Sequence, residues 1–100
     1  MGARIEAQEA RGDGDVRVYD FPSGTLAQYD QVMKEFDNEL APGSLVQAAG
    51  AFGDGFRAVD VFESREVAEN VAGMVAQAAQ RAGLAVPQVW EFETHNLLLA

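Results

Sequence analysis

Residues Ala51 to Glu66 read AFGDGFRAVDVFESRE, and this run decides the fold because it sets a tight turn, a strand and a helix start in immediate succession. Asp54-Gly55 is a favoured two-residue hairpin turn, Phe56 to Phe62 alternates apolar and β-branched side chains, and Ser64 stands where a helix N-cap belongs. Downstream of Ser64, the residues Val67, Val71, Met74, Val75, Ala78 and Ala82 recur at helical spacing, and Gly83 is a favoured residue just past a helix end. The Ala-rich stripe allows close approach to a sheet.

Upstream, Leu45 to Ala51 is the strand that leads into the hairpin, and Pro42-Gly43 ends whatever precedes it. Leu26, Tyr29, Val32, Met33, Phe36 and Leu40 predict an amphipathic helix of about four turns, with Ser23 or Thr25 as its N-cap. Val16 to Phe21, VRVYDF, is the first strand. Residues 1 to 15, MGARIEAQEARGDGD, are short of large apolar side chains and are expected to form a disordered tail, leaving 16 to 100 as one domain. After Pro87 a last strand covers Gln88 to Thr94 and runs on through His95-Asn96 into Leu97-Leu98-Leu99. The order βαββαβ is an α+β, ferredoxin-like arrangement: an antiparallel sheet with two helices on one face.

The chain has 100 residues, 16 acidic against 7 basic side chains, no Cys and one His. One thin core is what such a length supports, with no disulfide or metal staple available. A net charge of −9 repels phosphate backbones and anionic lipid, so neither a nucleic acid nor a membrane is expected as partner. Asn70 to Gln80, the longest uncharged run, is too short and too polar for a membrane span. No secretory signal is visible at Met1 to Ile5, so a cytoplasmic location is expected. GxGxxG, Walker, HExxH and GxSxG patterns are all lacking, as is any metal-ligand spacing, so no cofactor and no metal is expected.

Both faces of the sheet read apolar. The third strand sets Val59 and Val61 on one side against Phe56, Ala58 and Phe62 on the other, and the first sets Val16 and Val18 against Tyr19 and Phe21. A face turned away from the helices needs a cover, and the economical one is the same sheet of a second copy, giving a homodimer.

A first helix containing YDQV, the strand PGSLVQAAG, then DGFRAVDVFESRE and a terminal HNLL together resemble small actinobacterial members of the dimeric α+β barrel superfamily, which includes antibiotic biosynthesis monooxygenase-like proteins. The resemblance spans roughly Val16 to Leu98. It implies the dimeric barrel fold, while the superfamily houses haem-degrading enzymes, dehalogenases and cyclases as well as oxygenases. In the cofactor-free oxygenases a Trp near the end of the third strand and an Asn about one turn of sequence earlier go with the chemistry; the matching places here hold Phe62 and Ala58.

Asp60 is the outlier among the candidate site residues, a carboxylate in the middle of a central strand. It serves either as a pocket acid or base with a raised pKa, or as a structural partner of Arg57 or Arg81. His95 is the one side chain titrating near neutrality and is a candidate general base, or else a half-exposed residue at the sheet edge. A single His near the chain end makes a poor haem ligand. Gln47, between apolar neighbours, would orient a ligand carbonyl or a backbone group. Tyr29, Phe36, Phe62 and Trp90 would line a ligand space between sheet and helices, or simply fill the core.

Three readings remain open at this level. The protein binds an apolar or aromatic small molecule between sheet and helices; or it is a cofactor-independent monooxygenase or cyclase using Asp60 and His95; or it is a non-catalytic assembly domain. A pocket of about 300 Å³ or more beside Asp60 favours the first two, and solid packing there favours the third.

Overall fold

The computed structural model describes residues 10–11 and 14–100. Its elements are β1 (Ala10–Arg11), β2 (Asp15–Phe21), α1 (Leu26–Lys34), β3 (Ser44–Phe52), β4 (Gly55–Phe62), α2 (Arg65–Arg81), β5 (Gln88–Glu93) and β6 (Leu97–Leu98). β3, β4, β2 and β5 lie in that order in one antiparallel sheet, which is the ferredoxin-like α+β arrangement, and β1 pairs with β6 in a separate ladder. Among the described residues no helix is long and apolar enough to cross a membrane.

Most of the expected tail, residues 1–9 and 12–13, lies outside the described residues. Its described part belongs to the fold. Ala10 and Arg11 pair with Leu98 and Leu97, the Gly14 amide donates to Thr94 Oγ1 at 2.9 Å, and Asp15 opens β2 as a buried residue. Sequence pattern misses this because these are polar and backbone contacts, with no apolar period to mark them.

The hairpin turn is set one residue earlier than Asp54-Gly55. Phe52 pairs with Gly55, so Gly53 and Asp54 form the loop, and Gly53 supplies the positive φ of 59°. Gly55 answers a different need. A Cβ there would sit 1.9 Å from the Phe21 carbonyl oxygen, so only glycine lets β4 start this close to the end of β2.

Thr25 caps α1 with a capping box: its side chain accepts from the Gln28 amide while Gln28 Oε1 accepts from the Thr25 amide at 2.9 Å. The helix stops at Lys34, well short of Leu40, because Asp37 and Asn38 both enter the left-handed region (φ 56° and 53°) and the Asn38 amide closes back on the Met33 carbonyl at 2.8 Å. Phe36 therefore sits in a turn, and Leu40 lies beyond it. Ser64 caps α2 as expected, and Gly83, at φ 80°, ends it with the Leu84 amide bonded to the Ala79 carbonyl. The buried stripe of α2 is rotated from the expected one: Ala68, Val71, Ala78, Ala79 and Ala82 are inside and Met74 is exposed.

Strand alternation then assigns the two faces. Tyr19, Phe21, Phe56, Ala58, Asp60 and Phe62 are buried on the helix side, where Phe21 and Phe56 stack at 4.7 Å and Tyr29 meets Phe56 edge-on at 5.7 Å. Burial of Phe56 or Phe62 stabilises by about 1.5–3 kcal/mol each. On the other face Val16, Val18, Val59 and Val61 form an apolar centre, flanked by Trp90 and Phe92 at 50% and 58% exposure.

Candidate functional site

Asp60 lies in the middle of β4, on the helix side, with Gln47 of β3 and Arg17 of β2 as its cross-strand partners. It is 6% exposed, and its Oδ1 atom has no hydrogen-bond partner among the described residues. Burial pushes its pKa up to about 6, opposed by the polar Gln47 side chain across the strands. The structural alternatives for its partner do not hold. Arg57 points to the open face and pairs with Asp20 at 2.5 and 2.7 Å, while Arg81 pairs with Glu35 at 2.6 Å. Arg17 binds Asp15 at 3.0 Å and Glu91 at 3.3 Å instead.

Three elements bring Asp60, Gln47 and Tyr29 together. The Tyr29 hydroxyl, on α1, donates to Gln47 Oε1 at 3.3 Å. Burial, and then the Asp60 charge, push the Tyr29 phenol up, and the same two causes act first on Tyr19. Both phenols therefore stay protonated where Asp60 titrates.

Two small cavities of about 30 Å³ each flank Asp60. Both are bordered by Asp60, Gln47, Met33 and Val75; Phe36 and Phe62 line one of them, Tyr19, Tyr29 and Ala58 the other. Each has room for one or a few water molecules, far short of the roughly 300 Å³ expected of a ligand pocket, so the space beside Asp60 does not by itself favour the ligand reading over the assembly reading. Met33, on α1, is a wall common to the two cavities. A hollow of about 400 Å³, open to solvent, lies beyond it, bordered by Met33, Tyr29, Gln47, Leu40 and Leu45.

Two candidates fall elsewhere. Trp90 lies on the open face of the sheet, since β5 pairs with β2 so that Trp90 is opposite Val18. His95 is exposed in a bend beyond the end of β5, away from the strand centre that holds Asp60. The sequence treats Met33 and Tyr19 as core filling; alternation along β2 together with the Arg17–Asp60 register is the signal that places Tyr19 diagonally beside Asp60. Among the described residues no cluster of three or more His, Cys, Asp or Glu could hold a metal ion. What the arrangement offers is one acceptor oxygen in an apolar surround, able to take a hydrogen bond or a proton.

No protein-family model matches the chain, and no curated protein is similar to it in sequence. Among solved structures, a point mutant of SnoaB, a cofactor-independent oxygenase from Streptomyces nogalater, is similar at a TM-score of 0.50, over 79% of this chain and 88% of that one, with 16% identity. At that identity the likeness shows the fold alone, the α+β ferredoxin-like arrangement.

Proposed function

We propose that this protein is a homodimer that takes up a small, mostly apolar molecule between sheet and helices and holds its hydroxyl or enol against Asp60. The unpartnered Oδ1 of Asp60 carries this reading. A buried acceptor left unmade costs about 1–3 kcal/mol, which a donor on a ligand recovers. With a pKa of about 6, the carboxyl is also able to accept and return a proton near neutral pH. The ligand displaces Met33, whose unbranched thioether chain repacks at low cost, and reaches the cavities from the outer hollow.

The second copy covers the open face. In plan this four-stranded face measures roughly 400 Å², a size at which an exposed apolar patch on a monomer is normally functional. Its valine centre is free of the acidic side chains that would otherwise set two chains of charge −9 against each other.

The test is a titration with 2-naphthol at pH 7.5, followed by NMR at the Met33 and Val75 methyl groups. Saturable shifts there are expected, with at least about tenfold weaker binding in Asp60→Leu, the loss of one hydrogen bond to a charged group. Absence of saturation, or unchanged affinity in the variant, contradicts the proposal. A second reading, oxygenation or cyclisation with Asp60 as the base, is supported by the fold shared with a cofactor-independent oxygenase and by the same carboxyl. Oxygen uptake on adding the naphthol separates it from binding alone.

A further inference from the structure

We infer that Glu39 is the specificity determinant of this ligand site, favouring molecules that carry an ammonium group at the end away from Asp60 and turning away carboxylates and phosphates. The inference rests on the reading of Asp60 as the acceptor for a ligand hydroxyl, and it adds what the other end of that ligand must be. Volume decides where that end lies. The cavities at Asp60 have about 30 Å³ each and the hollow outside has about 400 Å³, so most of a ligand's bulk stays in the hollow.

The hollow and one of the cavities share a border. Met33, Glu39, Leu40, Val46 and Gln47 line both. Glu39 is the one charged side chain among the described residues around the hollow, and it and Asp60 are the two around that cavity. A molecule that reaches Asp60 from the hollow therefore passes Glu39, and its trailing end stays beside that carboxylate. Glu39 is exposed and forms no ion pair among the described residues, so its charge is open to a ligand.

The local sequence puts it there. Asp37 and Asn38 take left-handed backbone, which Asp and Asn tolerate better than other side chains. The Asn38 amide bonds the Met33 carbonyl at 2.8 Å and the Glu39 amide the Phe36 carbonyl at 3.1 Å, so the chain leaves α1 with Glu39 and Leu40 on the same opening as Met33. Around that opening the field has one dominant sign. A second open hollow, of about 370 Å³, also borders on Met33 and Asn38, and its charged borders are Asp30, Asp37 and Lys34. Three acids thus face one lysine, on a chain of net charge −9. Leu40, Leu45 and Val46 supply apolar contact for the body of the ligand. The class that fits all three features is an aromatic or polycyclic phenol or enol bearing a primary or secondary amine.

The experiment compares three probes of one shape, 2-naphthol, 6-aminomethyl-2-naphthol and 6-hydroxy-2-naphthoate, by the methyl shifts of Met33 and Val75 at pH 7.5 and low salt. The amine is expected to bind at least about tenfold tighter than the carboxylate, with the neutral compound between them, and the ratio should shrink in about 1 M NaCl, where charges are screened beyond about 3 Å. Glu39→Gln should cut the amine-to-carboxylate ratio at least about threefold, and Glu39→Lys should reverse the preference. Glu69→Gln removes the same charge from an exposed position on α2 outside both hollows and should keep the ratio. Equal binding of amine and carboxylate overturns the role of Glu39 and leaves the naphthol site standing. So does a preference that Glu39→Gln leaves intact or that Glu69→Gln lowers as much. Absence of saturation with all three probes overturns the site and the inference with it.

Discussion

Arg17 and Asp60 stand opposite each other in the register of β2 and β4, both buried on the helix side, and form no ion pair. The guanidinium is turned to Asp15 at 3.0 Å and Glu91 at 3.3 Å, so the nearest cation is already neutralised. That leaves Asp60 as an acid with neutral Gln47 across the strands and no counter-charge, the condition in which burial raises a carboxyl pKa most effectively.

Replacing Asp15 with Asn should therefore release Arg17 toward Asp60. The expected outcome is a lower Asp60 midpoint in the variant, seen by carboxyl NMR. An unchanged midpoint would show that Arg17 cannot reach across the strands.

Asp60→Asn should stabilise the protein in a pH-dependent way. The folded carboxyl, at about 6 against an ordinary 3.8, binds its proton more tightly than the unfolded one. Its contribution to stability is thus present below pH 4 and lost as the pH rises through 6; two pKa units correspond to about 3 kcal/mol. Urea titration should find the variant more stable by about 1–3 kcal/mol at pH 8, with the gain shrinking toward zero near pH 4.5. Destabilisation at pH 8 would mean that a buried cation had lost its partner.

Truncation through Asp15 should lower Tm by at least about 5 °C, a loss of about 1 kcal/mol or more in a domain of this size. The physical cause is removal of the Asp15 carboxylate from buried Arg17 and of the Gly14 amide from Thr94. An unchanged Tm would return the segment to the role of a tail.

The two apolar sheet faces respond differently to charge. Val59→Glu, on the open face, should convert a species of twice 10.7 kDa into one of 10.7 kDa, with unfolding if the dimer is obligate. Phe62→Glu, 1% exposed and turned to α2, should unfold the protein whatever its assembly. Light scattering that gives a single-chain mass for the unaltered protein at micromolar concentration contradicts the dimer.

Gly55→Ala should cost at least about 2 kcal/mol, since its Cβ would meet the Phe21 carbonyl at 1.9 Å, whereas Gly50→Ala, with nothing within 4 Å, should stay within about 0.5 kcal/mol. Equal stabilities of the two variants would argue against the close approach of β4 to β2.

The succession of elements, the helix caps and the Asp60 anomaly were legible in the sequence because each rests on a local rule: alternation, Ser64 and Gly83 at helix ends, a charge among apolar neighbours. The length of α1 was not, because the apolar spacing runs on to Leu40 while Asp37 and Asn38 take a left-handed turn that the pattern does not record. Nor was the site of Trp90, since the face on which a strand residue lies follows from register, and β5 pairs only with the distant β2. His95 looked chemical by residue type alone; its place past the end of β5 removes it from the cavity. Met33 reads as core from its spacing, and only the two cavities, both bordered by it, show that it faces open space.

A buried Asp60 without a counter-charge underlies the proposed site, and the direct measurement is its titration by carboxyl-carbon NMR in the unaltered protein. A midpoint of about 6 is expected from its burial without a counter-charge. A midpoint near 4, the ordinary carboxylate value, would contradict it and remove the acceptor on which the proposed ligand site depends.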